Sequence, residues 1–263
     1  MYRLLIVLPA LALCCGCIGE SGSVGSSAAY PPPELGKYTC YRAVDTIVLD
    51  GKLREKSWKK APGTGNFTMF DGKQTPLSTT AKLVWDDQAL YIAFECDDPD
   101  IYATYEKRDE ALYGQDVVEV FIMRQNNTEN QADYVEYEVS PLGTLFDIYL
   151  TAPYKGTLDW TSEGFGAGAV FAGTLNKPAD DDKGYTVEIT IPFVDLYGAE
   201  GVSPEDGSEI RMNLYRIDYS TPEEIGEAGA DAKFITWAPV DIINFHQPDK
   251  FGVVTFRRSP VGK

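Results

Sequence analysis

Short segments of alternating apolar and polar residues, or of clustered β-branched and aromatic residues, succeed one another along this chain with turn-forming residues between them. This succession predicts an antiparallel β-sandwich. Predicted strands cover residues 46–51, 66–70, 80–85, 90–96, 116–123, 133–139, 144–150, 184–191, 210–217, 234–237 and 251–256. Asp86 and Asp87 favour a hairpin turn, because an Asp side chain bonds to nearby backbone. Only residues 53–61 predict a helix, and a short one.

Length and charge limit the class of protein. The 263 residues are 44% hydrophobic, which is enough for one sizeable all-β domain. Acidic residues outnumber basic ones 40 to 23, for a formal net charge of −17. Phosphate backbones and anionic membranes would be repelled, which argues against nucleic-acid binding. Solubility outside the cell explains the charge without any cationic partner.

The N-terminus has the features of an export signal. Arg3 precedes an apolar run over residues 4–13 that is too short to span a bilayer and fits a secretory signal. Gly16 and Cys17, followed by Gly and Ser, resemble a prokaryotic lipoprotein signal with Cys17 lipidated. Cys14 stands where that pattern usually has Leu, so ordinary cleavage and release is the alternative. We predict a signal peptide over 1–17, a flexible tether over 18–36, a domain over 37–263, and a location in the cell envelope or outside the cell.

Two cysteines remain in the mature chain if Cys17 carries lipid. These are Cys40 and Cys96, and an exported protein permits a disulfide between them. The alternative is two separate small apolar residues in a core. The chain has no CxxC pair and no Cys/His cluster, which argues against a zinc site.

Candidate binding residues come from two segments. In the predicted strand 116–123, Val118 and Val120 point one way and Glu119 the other, among half-buried side chains. An acid in that setting needs a partner or a ligand. His246, the only histidine, lies on a loop before the last strand, where it either joins a site or bonds backbone carbonyls. The long loops 97–114 and 152–168 also favour a binding role.

Seven segments in order carry a family resemblance: LDGKLREKSWKKA, LVWDDQALYIAFECDD, DVVEVFI, VSPLGT, YTVEITIPF, MNLYRID and FHQPDKFGVVTF. Residues 44–256 thereby resemble the family 9 carbohydrate-binding modules and their DOMON-like relatives. The resemblance implies a jelly-roll β-sandwich that binds saccharide ends between two aromatic rings, often with structural Ca2+. It also implies a role in polysaccharide degradation beside glycoside hydrolases.

The resemblance assigns site residues by position. Tyr113, six residues before Glu119, stands where the family has one sandwiching tryptophan, and Glu119 matches the glutamate that bonds sugar hydroxyls. Phe245 or His246 is nearest to the second tryptophan. Tyrosine still stacks on a pyranose face, so the slot is expected to survive with a different sugar selectivity.

Three further residues supply groups that suit a sugar. Arg108 and Asn244 offer planar polar groups, and Trp160 offers a stacking platform in a glycine-rich loop. Arg108 is equally explained by an ion pair with Asp109 or Glu106. Trp160 is equally explained as a lid over the edge of the core.

The sequence also allows a metal site and a haem site. Asp97, Asp98 and Asp100 are compatible with Ca2+ ligation, and an exposed turn explains them equally well. DOMON-like sandwiches also bind haem, for which axial ligands are available in His246 with Met69, Met123 or Met212.

An enzymatic alternative is a glycoside hydrolase acting on O-glycosyl bonds. It needs two carboxylates about 5–9.5 Å apart, and no local motif singles out such a pair. Nor does the chain contain GxSxG, a P-loop or HExxH. Non-catalytic carbohydrate binding is therefore the predicted function.

Overall fold

The computed structural model describes residues 36–125, 133–157, 159–177, 181–219 and 232–263. The strands are β1 Lys37–Arg42, β2 Thr68–Met69, β3 Thr79–Trp85, β4 Ala89–Cys96, β5 Val117–Met123, β6 Tyr134–Val139, β7 Leu145–Leu150, β8 Gly156–Thr157, β9 Gly166–Ala172, β10 Gly184–Pro192, β11 Glu209–Asp218, β12 Lys233–Thr236 and β13 Gly252–Pro260. Two short helices are present, α1 Lys56–Lys60 and α2 Phe193–Tyr197. The all-β class and the sandwich are confirmed. None of the helices in these residues is long and apolar enough to cross a membrane.

The strands follow the order β8-β7-β6-β5-β11-β13-β1-β3-β4-β10-β9. The sandwich has two layers, and strand β11 belongs to both. Its first half pairs with β13 in one layer, and its second half pairs with β12 in the other. The pairs are antiparallel except at β1, which runs parallel to both β13 and β3. The purely antiparallel prediction is corrected at this strand.

The main core fills the space between the layers. Val118, Val120 and Ile122 of β5 point into it, as predicted from their alternation, and meet side chains from β3, β4, β10 and β13. Each large apolar side chain buried there contributes about 1.5–3 kcal/mol relative to leaving it in water.

Two local predictions differ from the structure. Residues 46–51 are not a strand, because the carboxylate of Glu188 accepts the N–H groups of Asp50 and Gly51 in place of a neighbouring strand. The edge strand β9 was not predicted, and its first residues were included in the loop 152–168, because glycine and alanine favour strands poorly. A Cβ at Gly168 would overlap the Leu49 carbonyl, so the close approach of this segment requires glycine.

The cysteines also differ from expectation. Cys40 and Cys96 are both free and buried. They lie on β1 and β4, which are separated by β3. Two strand spacings alone put the Cα atoms about 10 Å apart, beyond the ~7 Å that a disulfide spans. The predicted disulfide is wrong, and the alternative of two separate core residues describes the structure.

Candidate functional site

A second cluster of buried side chains covers the outer face of β7, β6, β5 and β11. On this face Glu119 of β5 lies directly opposite Glu138 of β6, and Phe121 lies opposite Glu136. Tyr215 of β11 flanks Glu119 on the other side. Because side chains alternate along a strand, all five residues point away from the main core.

Glu119, Glu136 and Glu138 form the floor of this face, and we call them the glutamate triad. Their exposed fractions are 2%, 7% and 0%. Neither carboxylate oxygen of Glu138 makes a hydrogen bond of ordinary geometry among the described residues, although the Glu136 carboxyl and the Tyr113 N–H lie close enough to shift its pKa. Burying an acid without a partner costs free energy, so this arrangement calls for an explanation, and a ligand that donates hydrogen bonds supplies one.

Burial raises the pKa of every member of the triad, and neighbouring members raise the pKa of Glu119 and Glu138 further. Burial and the charge of Glu136 raise the pKa of Glu119 well above its ordinary value. Burial raises the pKa of Glu136 to about 7. Burial, then Glu119 and Glu136, raise the pKa of Glu138. The triad therefore retains protons near neutral pH, and a protonated carboxyl both donates and accepts hydrogen bonds.

Aromatic rings enclose the triad. Phe245 stacks on Tyr215 with 3.9 Å between ring centroids, and the Tyr215 hydroxyl donates to the Phe245 carbonyl at 3.1 Å. Phe121 meets Tyr215 edge-on at 5.1 Å. Phe245 is only 7% exposed. It forms part of the wall of the slot, and its burial leaves His246 as the more accessible of the two candidates for the second tryptophan position.

The loop that carries Asn244 and His246 is anchored to β11. The amide of Asn213 donates to the Ala238 carbonyl at 2.8 Å and accepts from its N–H at 3.0 Å. Further along, the side-chain oxygen of Asn244 accepts the His246 N–H at 2.9 Å. The His246 Nδ1 lies 2.7 Å from the Tyr134 hydroxyl. Burial lowers the pKa of His246 to about 4, so the ring is neutral at neutral pH.

Tyr154, which the sequence analysis did not single out, completes this end of the face. Its ring is 53% exposed and lies 4.3 Å from the His246 ring. Its hydroxyl donates to Asn244 at 2.6 Å. Its φ of 61° is uncommon for a bulky residue, and such backbone strain concentrates at functional sites. The only hint in the sequence was its place in a long loop.

Tyr113 marks the opposite end. It lies in the 3-10 turn Leu112–Gly114 and is 40% exposed, with its ring edge-on to Phe146 at 6.5 Å. Phe146 lies opposite Glu138 in the sheet. Burial and then the charge of Glu138 raise the pKa of Tyr113, as expected for a ring beside the triad.

We call the surface between these ends the glutamate slot: the triad as floor, Tyr113 at one end, and Tyr154 with His246 at the other. On β6, Glu138 lies at the Tyr113 end of the slot and Tyr134 at the His246 end. These two residues are four positions apart, which corresponds to about 13 Å at ~3.3 Å per residue. Two ring contacts of about 4.5–7 Å each fit within that length, with one pyranose between them. Rings suit the C–H face of a sugar, and carboxyl groups suit its hydroxyls.

Arg108 is not brought to the slot. Its guanidinium pairs with Asp147 and donates to the Ser162 carbonyl at 3.2 Å. Asp147 follows Phe146 on β7 and therefore points to the opposite face from the triad. The ion-pair alternative describes Arg108, with Asp147 as the close partner and Asp109 at 3.9 Å.

Trp160 also lies elsewhere. Its ring is 6.4 Å from both Tyr137 and Tyr149 and packs against the main core. The lid over the core edge describes this residue, and its predicted role as a sugar platform is wrong.

The acidic residues after β4 do not gather around an open metal position. Asp98 turns inward to Asp116 and Asp218, and ligand atoms of these three lie within 4.8 Å of one another. Arg216 donates to Asp98 at 2.9 Å and to Asp218 at 2.6 Å. Asp116 accepts two backbone N–H groups. A guanidinium thus occupies the place of a cation, and this cluster does not fit Ca2+.

Residues 49–258 match the family model described as carbohydrate family 9 binding domain-like. This chain belongs to that family. The match runs from the segment before α1 into β13, so every residue of the glutamate slot lies within the family 9 domain.

Relatives of this family 9 domain differ in length. Exoglucanase XynX of Acetivibrio thermocellus is 25% identical over 217 residues, which are 82% of this chain and 17% of the enzyme. An Arthroderma benhamiae protein named extracellular protein is 25% identical over 195 residues, which are 72% of this chain and 82% of that protein. The chain therefore spans only a small part of the exoglucanase.

Solved structures support the fold of the family 9 domain. A family 9 module from Caldicellulosiruptor kristjanssonii in complex with cellotriose superposes with a TM-score of 0.57 at 20% identity, covering 84% of this chain and 94% of the module. The complex of a family 9 module from the same organism with glucose superposes with a TM-score of 0.56 at 20% identity, covering 84% of this chain and 96% of the module.

Proposed function

We propose that this family 9 domain is a non-catalytic module that binds a mono- or oligosaccharide in the glutamate slot. The observation that carries the proposal is a buried triad between two exposed tyrosines, in which Glu138 makes no hydrogen bond of ordinary geometry. The cellotriose and glucose complexes of the similar module support a saccharide as the ligand class.

Calorimetric titration of glucose, xylose and their oligosaccharides tests this function. We expect a Kd of about 10 μM to 1 mM, because two ring contacts and a few hydrogen bonds only partly offset the entropy of association. Tyr113→Ala and Tyr154→Ala should each weaken binding roughly tenfold, since a stacked ring contributes about 0.5–1.5 kcal/mol beyond its buried area. Glu119→Gln should change which hydroxyl pattern is preferred.

Phe171→Ala is the matched control for the ring truncations. Phe171 is 37% exposed, close to the value for Tyr113, and lies on edge strand β9 of the other layer. It should leave affinity unchanged. Sugar binding that survives both tyrosine substitutions would place the site elsewhere, and release of shorter sugars during titration would contradict non-catalytic binding.

Haem is less well supported by the described residues. The Nδ1 of His246 already contacts Tyr134, and Met212 points into the main core on the other face of the sheet. An absorbance spectrum of the purified protein separates the alternatives, because bound haem colours a protein and a saccharide does not.

We further propose that the domain is exported and anchored by lipid on Cys17, where it works beside glycoside hydrolases. Cys17 lies outside the described residues, and support comes from the sequence of the first 36 residues and from the extracellular relative. Cys17→Ser should move the protein from the membrane fraction to the soluble fraction. Cys14→Ser and Cys15→Ser should not, and membrane association that persists in Cys17→Ser would rule out this anchor.

A further inference from the structure

The charged surroundings of the glutamate slot point to a narrower class of ligand, on the premise that the slot binds saccharides as proposed. After burial, the acidic side chains that act on the pKa of the triad members are other members of the triad. The other titratable groups beside it are His246, which is neutral, and phenols whose pKa the triad raises; these are Tyr113, Tyr134, Tyr154, Tyr215 and Tyr219. No lysine or arginine is among the groups that shift the pKa of these three acids.

The arginines of this layer are engaged elsewhere. Arg108 pairs with Asp147 on the opposite face. Arg211 donates to the carbonyls of Asp249 and Phe251 at 2.8 and 2.9 Å. Residues 126–132, 158, 178–180 and 220–231, which are not described, contain neither Lys nor Arg. The sequence within the folded part therefore offers no further cation from these segments.

Two hydroxyl groups around the triad are already engaged in hydrogen bonds. The hydroxyl of Tyr154 donates to Asn244, and that of Tyr134 is bonded to His246. In the described part of the chain, neither oxygen of Glu138 makes a hydrogen bond of ordinary geometry. A complementary ligand brings several hydrogen-bond donors and a positive charge, because charge-assisted bonds are roughly twice as strong as neutral ones.

We propose that the glutamate slot selects saccharides that carry a protonated amine, that is, amino-sugar units with a free ammonium group. The tyrosine rings at the two ends suit the sugar face, and the triad suits the ammonium group, which offers three donors. A bare metal ion fits less well: of the described residues, only Asp98, Asp116 and Asp218 bring acidic ligand atoms within 4.8 Å of one another, and the triad does not.

Binding of an ammonium group has a proton signature that a neutral sugar lacks. The ammonium favours the ionised form of the carboxyl groups, so each binding event should release about one proton from the triad to the buffer. The heat of binding should then depend on the ionisation enthalpy of the buffer. A sugar that only exchanges neutral hydrogen bonds releases no proton.

Calorimetry at pH 6.5 with glucosamine, N-acetylglucosamine and glucose tests the proposal. Glucosamine should bind at least tenfold more tightly than either neutral sugar, with about one proton released. Glu138→Gln should bring glucosamine within about twofold of N-acetylglucosamine. Glu95→Gln, an exposed acid on β4 of the other layer, should keep the preference.

The outcomes separate the two proposals. Equal affinity for the three sugars, or a heat for glucosamine that is independent of the buffer, overturns amine selectivity and leaves saccharide binding standing. Failure of all sugars to bind overturns the proposed function itself. Tighter glucose binding with added Ca2+, abolished by a chelator, would show that a metal ion takes the place assigned to the amine. The buffer test uses the unaltered protein and therefore holds even if Glu138→Gln does not fold.

Discussion

Replacing Arg216 by methionine should lower the free energy of unfolding by about 3–5 kcal/mol, measured by chemical denaturation. The Arg216 side chain is 0% exposed and donates to Asp98 and Asp218, which are themselves buried. It also donates to the Asp97 carbonyl at 2.7 Å. Methionine fills a similar volume but leaves the acids without their counter-ion, which is the costly way to break a buried ion pair.

The loss should be larger at pH 8 than at pH 5. Burial raises the pKa of Asp98 to about 7 even with Arg216 beside it. Without the guanidinium the neighbouring acids hold protons more strongly, and at pH 5 protonation removes part of the uncompensated charge.

Arg257→Met is the matched control. The Arg257 side chain is 45% exposed, and its guanidinium lies 3.7 Å from Asp206. Surface pairs of this kind contribute about 0–1 kcal/mol. Equal effects of the two substitutions would show that the Arg216 cluster does not stabilise the sandwich.

The unaltered protein should lose stability as pH rises from 5 to 8, and Glu136 alone should account for about 3 kcal/mol of that loss. Its pKa is about 7 in the folded protein against an ordinary value of 4.5. The folded state therefore keeps a proton that the unfolded state releases. The raised pKa of Glu136 makes its whole contribution to the free energy of unfolding below pH 4.5. Between pH 4.5 and pH 7 that contribution falls by about 1.4 kcal/mol per pH unit.

Denaturation of Glu136→Gln across the same pH range checks this expectation. The variant carries no titrating group at residue 136, so its stability should change less with pH than that of the unaltered protein. Glu95→Gln should leave the dependence unchanged, since Glu95 is exposed. Identical pH dependence in the unaltered protein and Glu136→Gln would contradict a raised pKa at the slot.

Several parts of the slot were predictable from local pattern. Alternation along residues 116–123 placed Glu119 opposite in direction to Val118 and Val120, and the structure agrees. The segment DYVEYEV shows the same alternation, because Glu136 and Glu138 alternate with Val135 and Tyr137, which point inward. That pattern was sufficient to find the rest of the triad, although the sequence analysis did not use it.

Other parts depended on contacts between distant segments. From the sequence, a sugar-binding role and an ion pair were equally good explanations of Arg108. The ion pair forms because its loop lies beside Asp147 on β7. Phe245 was buried by Tyr215, thirty residues earlier in the chain. Cys40 and Cys96 were kept apart by the insertion of β3 between their strands. Tyr154 lies at the end of the slot because its ring contacts His246, which is on a different loop.

Local pattern was sufficient for the all-β class, for most of the strands and for the face on which each strand residue lies, because side-chain direction alternates with a period of two along any strand. It could not show which strands are neighbours, that β1 pairs in parallel, or which loop residues reach the glutamate slot. The physical reason is that strand pairing and loop anchoring are contacts between segments far apart in the chain, and local alternation carries no information about their register.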